Sequence, residues 1–525
     1  MSTKPEPTPN WQPEIDELRK REELAREMGG AEKVAKHRSQ GKLTVRERID
    51  AVLDIETFHE KGVLAGTSQY DENGKLKSFV PANFVCGTGQ INGRKVVVGG
   101  DDFTVRGGAA DAAIIAKQIY AEQMANSLQI PIVRLVDGTG GGGSVKLLET
   151  HGFTYVPFNP GWDYVVDNMS VVPVVAACLG SVAGLGAARV VASHFSVMTE
   201  HTAQLMVAGP PVVKFGTGEL VTKEDLGGAQ VHRNSGAVDV IVPTEADAFA
   251  MVRQFLSYLP LNVFQLPPVE PTLDPIDRRE EWLISAIPKN RKQRYKIRPI
   301  LEAVFDKHSI FELAKYGGSV VTALARLDGH PVGVVTFDCC VGGGALSVEG
   351  ADAMIRLVDL CDTFHLPIVT LTDQPGISIG RTAERRGAIR YAARAISAVY
   401  QARVPAAEVI LRRLYGVGGA GMTNRHRFVH RFAWPSGDWG SLPLEGGIEA
   451  AYRRELESSP DPQTLLAQIN ARLDAVRSPF RSAEQFLIEE IIDPRETRSL
   501  LCDWVHDAYA VLPELLGRPA RGTRP

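Results

Sequence analysis

The stretch AGLGAA, residues 183–188, sets one leucine among five of the smallest side chains. It follows VVPVVAACLGSV, residues 171–182, which is rich in β-branched residues and carries no charge. Such a run predicts a strand that is buried on both faces. A glycine-rich corner that leads from a buried strand into a helix leaves backbone N–H groups without local acceptors. The stretch therefore predicts a strand, a tight corner and a helix, with a place for a negatively charged oxygen at the corner.

A similar pattern occurs a second time in the chain. YGVGGA, residues 415–420, follows another apolar run. Earlier in each half, QINGRKVVVGG aligns with RLDGHPVGVVT, and IPIVRLVDG aligns with LPIVTLTDQ. The chain is therefore predicted to contain two divergent copies of one unit. Equivalent positions keep a nearly constant separation along the chain, as in Gly184 and Gly416, Asn92-Gly93 and Asp328-Gly329, and Asp137 and Asp373.

The bulk composition is typical of a large enzyme. The 525 residues allow two or more domains, each with its own core. The 58 basic and 62 acidic side chains leave a net charge of −4, which argues against a nucleic-acid-binding surface. The six cysteines include no CxxC pair, so we expect reduced, mostly buried thiols rather than disulfides or metal ligands.

Three features of the sequence bear on how the chain is organised. Residues 171–188 are uncharged over about the minimum length of a membrane span, but Pro173 and several glycines interrupt them, so we predict no transmembrane helix. Short apolar strands alternate with alanine-rich helical stretches in both halves, which predicts an α/β fold. The proline-rich, charged stretch LPPVEPTLDPIDRREEW separates the copies. We therefore expect one domain over residues 1–270 and a second over residues 285–525.

Familiar catalytic motifs are matched only in part or not at all. GTGGGG, residues 138–143, matches G-x-G-x-x-G, but the aromatic, proline-broken segment after it has no second strand ending in an acid, so a flexible wall near a ligand is favoured over a dinucleotide site. His426 and His430 have helical spacing, but Arg427 stands where a zinc protease needs glutamate, which favours a solvated basic face. No G-x-S-x-G elbow or phosphate loop is present.

Paired corners without an obvious nucleophile suit reactions in which a carbonyl oxygen becomes an enolate and is held by backbone donors. The chain resembles a known family, the carboxyltransferase β subunits of biotin-dependent acyl-CoA carboxylases, which act on substrates such as propionyl-CoA or methylcrotonoyl-CoA. The resemblance rests on HRSQGKLTVRERIDAVLD, residues 37–54, and GPPVVKFGTGELVTKEDLGGAQVHRNSGAVD, residues 209–239, together with the two corners.

The resemblance implies two tandem crotonase-like domains related by internal duplication, with acyl-CoA bound by the N-terminal domain and carboxybiotin by the C-terminal domain of the facing subunit. It places the catalytic thioester corner on Gly184 and Leu185, with Gly186 adjacent in the binding site. It places the catalytic biotin corner on Val417 and Gly418. The neighbouring residues expected to bind there are Gly416, Gly419 and Ala420.

The implied chemistry needs no metal in this chain. Carboxybiotin loses CO2, the second corner holds the ureido anion while its nitrogen removes the α-proton of the acyl-CoA, and the first corner holds the enolate that attacks CO2. Since we find neither an ATP-grasp domain nor a biotinyl lysine, the resemblance implies a separate α subunit with biotin carboxylase and biotin carrier functions. It also implies a homo-oligomer, a dimer or a trimer of dimers, in the cytoplasm or, in a eukaryote, the mitochondrial matrix, without nucleic-acid or membrane partners.

The chain departs from the family pattern in three places. DGTGGGGSV, residues 137–145, replaces an S-G-G-A-R-I pattern, and RRGAIR, residues 385–390, lacks the usual Gly-Gly pair. Ala420 stands where the propionyl-CoA enzymes carry an acidic residue near the acyl tail. Two alternatives therefore stay open: a subunit of a biotin-dependent acyl-CoA decarboxylase or transcarboxylase, and a catalytically silent CoA-binding scaffold.

Overall fold

The computed structural model describes residues 10–108, 114–138, 149, 152–154, 156–424 and 427–523. The chain divides into two compact units. The first unit comprises Met1–Asn168, Val174–His232 and Ile241–Arg253. The second comprises Met169–Pro173, Arg233–Val240 and Gln254–Pro525. The two short segments Met169–Pro173 and Arg233–Val240 thus belong to the second unit although first-unit chain precedes and follows them.

The strands of the first unit form one large sheet and two small ones. They are β1 (His59–Lys61), β2 (Gly66–Tyr70), β3 (Leu76–Pro81), β4 (Phe84–Ile91), β5 (Arg94–Asp101), β6 (Ile132–Val136), β7 (Val174–Cys178), β8 (Ser181–Ala183), β9 (Phe195–Thr199), β10 (Gln204–Met206) and β11 (Val240–Val242). The large sheet has the order β1-β4-β5-β6-β7-β9-β11. Its first three strands are antiparallel, and β5, β6, β7 and β9 are parallel. In the small sheets, β2 pairs with β3 and β8 with β10.

The described part of the first unit contains ten α-helices. They are α1 (Gln12–Arg26), α2 (Ala31–Ser39), α3 (Val45–Val52), α4 (Ile115–Leu128), α5 (Trp162–Asn168), α6 (Leu185–Val191), α7 (Pro210–Thr217), α8 (Lys223–Gly227), α9 (Ala229–His232) and α10 (Glu245–Tyr258). A 3-10 turn spans Arg106–Gly108. Helix α3 starts at a capping box, in which the Thr44 hydroxyl accepts the Glu47 N–H at 3.3 Å and Glu47 accepts the Thr44 N–H at 2.7 Å.

The second unit repeats the sheet of the first. Its strands are β12 (Phe311–Leu313), β13 (Val320–Leu327), β14 (His330–Phe337), β15 (Ile368–Gln374), β16 (Ala406–Tyr415), β17 (Val429–Ala433), β18 (Asp438–Gly440) and β19 (Glu490–Ile491). Their order is β12-β13-β14-β15-β16-β17-β19, with β18 paired to β16. The first three strands are again antiparallel, and the pairs from β14 to β19 are parallel.

The described part of the second unit also contains ten α-helices. They are α11 (Arg298–Val304), α12 (Val348–Phe364), α13 (Arg381–Arg385), α14 (Ala388–Gln401), α15 (Gly416–Ala420), α16 (Leu444–Ala451), α17 (Arg453–Ser458), α18 (Pro462–Asp474), α19 (Pro479–Glu484) and α20 (Thr497–Val511). 3-10 turns span Glu281–Ser285, Gly342–Gly344, Pro494–Glu496 and Leu512–Leu515. One apolar core joins the sheet to α11 and α20 through the buried side chains of Phe305, Trp434 and Trp504.

The duplication extends to hydrogen-bond register. Strand β4 pairs Phe84 with Asp101 of β5, and β13 pairs Val320 with Phe337 of β14, which are the equivalent positions of the second copy. Each hairpin turns through a left-handed residue followed by glycine, Asn92 (φ 52°) and Asp328 (φ 45°). In each turn, the two N–H groups donate to a single carboxylate, Asp54 in the first unit and Asp306 in the second. The two predicted copies therefore share backbone pairing as well as sequence pattern.

The uncharged run at residues 171–188 contributes one strand to the large sheet of the first unit and one to a small sheet. It supplies β7, β8 and the first turn of α6. The side chains of β7 are completely buried, as a strand covered on both faces requires. Across the described part of the chain, no helix has the length and apolar character to cross a membrane.

Candidate active site

The first corner lies where β8 ends and α6 begins. Gly184 has φ 60° and ψ −125°, a conformation that residues with a Cβ rarely adopt, and Leu185 starts the helix. The Gly184 N–H donates to the Val207 carbonyl at 3.1 Å, so this N–H is already used. Within the described residues, the N–H groups of Leu185 and Gly186 have no acceptor, because they open the helix. Leu185 and Gly186 are therefore the donors available at this corner, and Gly184 sets their direction.

The second corner lies where β16 ends and α15 begins. Gly416 has φ 62°, close to the φ of 60° at Gly184, its equivalent in the first copy. The N–H groups of Val417 and Gly418 likewise have no acceptor among the residues that the structure describes. Gly418 itself has no positive φ; it is glycine for another reason, because a Cβ there would lie 2.9 Å from Oε1 of Gln374. Val417 and Ala420 are exposed, whereas Gly418 and Gly419 are buried.

The motif at residues 209–239 contacts β10, the partner of the strand that leads into the first corner. Strand β8 pairs in parallel with β10, and the Ser181 hydroxyl donates to Oε1 of Gln204 at 2.5 Å. The Gln204 amide donates in turn to Glu224 of α8 at 2.5 Å. His232 lies 2.7 Å from the Leu205 carbonyl, and Gly227 packs so tightly that a Cβ would lie 2.1 Å from the same oxygen. This motif therefore fixes the strand that ends in the corner.

The motif at residues 37–54 surrounds a buried carboxylate beside the same corner. Asp137, directly after β6, is completely buried and accepts from Nη1 of Arg48 at 3.0 Å. Lys42 lies 3.5 Å from the other oxygen of Asp137. Arg48 also forms a bidentate pair with Glu245, at 2.9 and 2.7 Å. The motif thus neutralises a charge that the sheet holds away from water.

Asp101 is a titratable group close to the first corner. It ends β5, accepts the Asp137 N–H at 3.1 Å, and lines a small cavity of about 20 Å³ together with Gly186 and Arg189. Burial raises the pKa of Asp101 to about 6. Carboxyl groups with raised pKa values are common at functional sites.

Asp373, near the end of β15, is the second unit's equivalent of Asp137. Its partners are the guanidinium groups of two neighbouring residues of β16, Arg412 at 2.8 Å and Arg413 at 2.6 Å. Burial opposes ionisation, but these two groups outweigh it and hold the pKa of Asp373 below its ordinary value.

A cavity of about 830 Å³ opens beside the second corner, within the second unit. Tyr415, which precedes the corner, forms part of its wall. Seven basic and two acidic residues line it, so it carries a positive potential. The two acidic residues, Asp438 and Asp474, are both paired with Arg477.

The sequence also points to a glycine-rich stretch, two histidines and six cysteines, and their positions are as follows. Most of GTGGGG and His426 lie outside the described residues. His430 lies in β17, half-buried and stacked on Phe432 at 5.1 Å, so its segment is a strand and not the helix that its spacing to His426 suggests. The six cysteines are free, and all but Cys340 are buried. Burial raises the pKa of Cys178 to about 12, so its thiol is neutral.

Several site residues are not recognisable from the sequence. Asp101 stands out there only as part of the repeated hairpin, and Gln374 only as part of an aligned strand. Arg48 and Glu245 are 197 residues apart, and no local pattern joins them. The one signal that the sequence offers is the alignment of Asp137 with Asp373. Two acids at equivalent positions, each at the end of an apolar strand, indicate buried charges with partners.

The duplicated sheet, with a glycine corner in each copy, defines an α/β protein of the crotonase-like class with two similar units. Comparison with known proteins gives the family. The Carboxyl transferase domain matches residues 36–508. The carboxyltransferase subunit of propionyl-CoA carboxylase from Haloferax mediterranei is 32% identical over 493 residues, which are 93% of this chain and 94% of that protein.

Two further relatives have different names. The alpha subunit of methylmalonyl-CoA decarboxylase from Veillonella parvula is 29% identical over 473 residues, 90% of this chain and 91% of that protein. A crystal structure of transcarboxylase 12S, described as a hexamer with methylmalonyl-CoA and methylmalonic acid bound, superposes with a TM-score of 0.85 at 28% identity and covers 99% of this chain and 98% of that one. The chain belongs to the carboxyl transferase family of the biotin-dependent acyl-CoA carboxylases, and it is an acyl-CoA carboxyltransferase. The predicted family and fold class are confirmed.

Proposed function

We propose that this chain is the carboxyltransferase subunit of an acyl-CoA carboxylase, which moves a carboxyl group from carboxybiotin on a partner subunit to the enolate of an acyl-CoA. The observation that carries the proposal is the pair of equivalent corners. Each has a glycine with φ near 60°, followed by N–H groups that have no acceptor among the described residues. Two corners suit a reaction with two developing oxyanions.

The first corner holds the acyl-CoA thioester. The N–H groups of Leu185 and Gly186 donate to the thioester oxygen and donate more strongly as it becomes an enolate. Gly184 contributes the sharp turn and not a donor, because its N–H is bonded to Val207. This refines the expected pair Gly184 and Leu185 to Leu185 and Gly186.

The second corner suits the ureido group of biotin. The N–H groups of Val417 and Gly418 are free to hold a carbonyl oxygen or its anion, and the basic cavity beside Tyr415 favours negative charge. When bound, carboxybiotin supplies the CO2 and a nitrogen base. Gly416, Gly419 and Ala420 form the rest of this short helix, and Gly416 turns the chain into it. We accordingly assign acyl-CoA binding to residues 1–270 and biotin binding to residues 285–525.

The assembly we propose has a biotin-carrying α subunit and several copies of this chain, a dimer or a trimer of dimers, with each site completed by two copies. Helix α7 supports contact between copies, because Val212 and Phe215 are 64% and 87% exposed on it and Leu220 is 80% exposed just after it. The chain itself needs no metal for this reaction, and the free thiols suit a reducing cytoplasm.

A second candidate is a decarboxylase or transcarboxylase subunit, which would use the same two corners. The similarity to the Veillonella decarboxylase subunit favours it. The partner in the holoenzyme distinguishes the two, since a biotin carboxylase partner supports ATP-dependent bicarbonate fixation and the alternative partners do not. A silent scaffold is disfavoured by the two open corners.

The test uses the full chain with and without its partner. Alone, it should fix no bicarbonate with ATP but should decarboxylate a carboxyacyl-CoA such as methylmalonyl-CoA when free biotin is supplied. Addition of the biotin-carrying α subunit should give ATP-dependent carboxylation. ATP-dependent carboxylation by the chain alone would overturn the partner requirement, and inactivity in every assay would favour the scaffold.

A matched pair of variants tests the first corner directly. Leu185→Pro removes one N–H, and proline is accommodated at the first position of a helix. Leu185→Ala keeps the N–H and removes the side chain. Loss of one oxyanion donor costs about 10²–10³ in kcat, so Leu185→Pro should fall by that factor and Leu185→Ala should not. Equal losses in the two variants would show that the side chain, and not the N–H, matters at this position.

A further inference from the structure

Three side chains that no part of the reaction uses converge in the second unit. Asp328 lies in the hairpin turn between β13 and β14, His330 begins β14, and His506 lies on α20. One ligand atom from each lies within 4.8 Å of the other two. His506 is far from His330 along the sequence, so only the fold brings them together.

The hydrogen bonds of this cluster orient its imidazoles. Nδ1 of His330 lies 2.8 Å from the Asp328 carbonyl, so this nitrogen is the donor and Nε2 carries the free lone pair. The ring of Tyr509 packs edge-on against His330 with centroids 4.7 Å apart. An imidazole that donates one N–H to a backbone carbonyl and offers its other nitrogen is the usual arrangement of a histidine ligand. Nε2 of His506 lies 2.9 Å from Oδ2 of Asp328.

The position of Asp328 is fixed by its turn. Its backbone is left-handed, and the N–H groups of Asp328 and Gly329 donate to Asp306 at 3.1 and 2.8 Å. Asp306 is itself neutralised by Arg498 at 2.8 Å. The Asp328 carboxylate, by contrast, pairs with no lysine or arginine in the described part of the chain, and its ion-pair partner is His506. A carboxylate that is paired with an imidazole, and that has a second imidazole nitrogen within 4.8 Å, is attractive to a cation.

We propose that Asp328, His330 and His506 form a binding site for a divalent transition metal of the Zn²⁺ class. Two imidazoles and a carboxylate are ligands that Zn²⁺ accepts, with water at the fourth position. Tetrahedral Zn²⁺ with bonds of about 2.1 Å requires ligand atoms roughly 3.4 Å apart, so small side-chain rotations complete the site. The His506 side chain is 44% exposed, which gives the ion and its water access.

The site lies away from the chemistry. The hairpin is at the amino end of β14, whereas the second corner follows the carboxyl end of the parallel strand β16. A metal here would clamp α20 to the β13–β14 hairpin and stabilise the second unit. The first unit has no counterpart, because Asn92 and Arg94 occupy the positions of Asp328 and His330.

The test is metal titration of the tag-free, full-length chain after treatment with a chelator. Calorimetry should show one Zn²⁺ bound per chain, and Co²⁺ should give the visible absorption of a low-symmetry site. His330→Ala and His506→Ala should each weaken Zn²⁺ binding by at least ~10-fold. Asp328→Asn, which keeps a residue that tolerates the left-handed turn, should do the same. His59→Ala, at an exposed histidine of β1, is the matched control and should bind as the wild type does.

Thermal unfolding gives a second readout. Because a ligand that binds the folded state raises its stability, Zn²⁺ should raise the Tm of the wild type and of His59→Ala, and Mg²⁺ should not. The Tm of His506→Ala should not respond to Zn²⁺. The proposal is overturned if the wild type binds no Zn²⁺, or if the three cluster variants bind it with unchanged stoichiometry and affinity.

Discussion

Asp137 and Asp373 occupy equivalent positions in the two units, and the charges around them differ. Both are completely buried at the end of a parallel strand. Asp137 is paired with Arg48, which comes from a helix before the sheet. Asp373 is paired with Arg412 and Arg413 on the adjacent strand. The duplicated backbone has been kept, while each unit has neutralised its buried carboxylate by different means.

The partners of the two aspartates differ because a different residue packs against each one. Gly180 occupies the position of Arg412 in the first unit, and a Cβ there would lie 1.8 Å from Oδ1 of Asp137. An arginine is therefore excluded, and Arg48 supplies the charge from α3. In the second unit, Arg412 and Arg413 instead line a large basic cavity. One backbone framework thus places a buried, neutralised aspartate near the first corner and a basic cavity beside the second.

The largest predicted effect is the loss of stability when Arg48, the partner of Asp137, is removed, compared with removal of Arg412, a partner of Asp373. Arg48→Met leaves Glu245 buried without its guanidinium partner and Asp137 with the more distant Lys42 at 3.5 Å, which costs about 3–5 kcal/mol. Arg412→Met should cost clearly less, because Asp373 keeps Arg413 at 2.6 Å. Calorimetric unfolding should therefore show a Tm loss of roughly 10 °C for Arg48→Met.

The control is an exposed pair. Arg453 and Glu457 lie 2.8 Å apart on the surface of α17, and Arg453→Met should change stability by no more than about 0.5 kcal/mol. If Arg412→Met were as damaging as Arg48→Met, the second unit would depend on its strand arginines as strongly as the first depends on α3, and the contrast between the units would be lost.

The second prediction applies one substitution to both corners. Gly418→Val forces a side chain against Gln374, where even a Cβ would lie 2.9 Å from the amide oxygen, and it should displace the N–H groups of this corner. Turnover should fall by at least ~10², with binding of acyl-CoA retained, since the lost donors act in the transition state. Gly186→Val, at the equivalent position of the first corner, should weaken the acyl-CoA step instead.

Separate measurement of kcat and of acyl-CoA affinity distinguishes the corners. Gly418→Ala is the intermediate variant, because it adds only the Cβ that lies 2.9 Å from the Gln374 amide oxygen, and its loss of turnover should be smaller than that of Gly418→Val. If Gly418→Val weakened acyl-CoA binding and Gly186→Val did not, the assignment of the two corners would be reversed.

The sequence predicted the features that depend on short patterns. The equivalence of Asn92-Gly93 with Asp328-Gly329, the strand and corner of residues 171–188, and the α/β duplication all follow from local spacing, and the structure confirms them. Contacts between residues far apart leave no such pattern, as in Arg48 with Glu245 or Asp328 with His506. The sequence also does not show which glycine of the second corner has which role. Gly416 is the residue with a left-handed backbone, whereas Gly418 lies where a Cβ would closely approach the Gln374 side chain.

The third prediction uses Asp101, whose place in the second unit is taken by Phe337. The pKa of Asp101 is raised by burial to about 6, above its value in the unfolded chain. Between about pH 4 and pH 6 the folded state therefore keeps a proton that the unfolded state has lost, so stability falls as the pH rises through this window. The fall from this one group is at most about 3 kcal/mol, since one pKa unit corresponds to 1.36 kcal/mol.

Asp101→Asn tests this without removing the acceptor for the Asp137 N–H. The Tm of the wild type should fall relative to that of the variant from pH 4 to pH 6, and the difference should then be constant. Asp50→Asn, at an exposed carboxyl of α3, is the control for general charge effects. A difference that does not change between pH 4 and pH 7 would show that Asp101 is already ionised throughout this range.

The smallest effect concerns the size range of the acyl groups that the enzyme accepts. Ala420 is exposed at the end of α15, and in the family pattern this position carries a larger acidic residue near the acyl tail. Each methylene buried in an apolar pocket is worth about 0.8 kcal/mol, so extra space should appear as a graded preference for longer or branched acyl groups. We expect Ala420→Ile to lower kcat/KM for acyl groups larger than propionyl and to spare acetyl-CoA and propionyl-CoA.

Val417 decides how large this effect can be. It is 65% exposed at the same corner, and its side chain is able to fill part of the space that alanine leaves at position 420. The measurement is kcat/KM across straight and branched acyl-CoAs for the wild type, Ala420→Ile and Ala393→Ile. The last variant places the same β-branched side chain on an exposed position of α14 and controls for lost helix propensity. A wild type that prefers acetyl-CoA, together with an unchanged profile in Ala420→Ile, would remove position 420 as a determinant of acyl size and leave selection to the first unit.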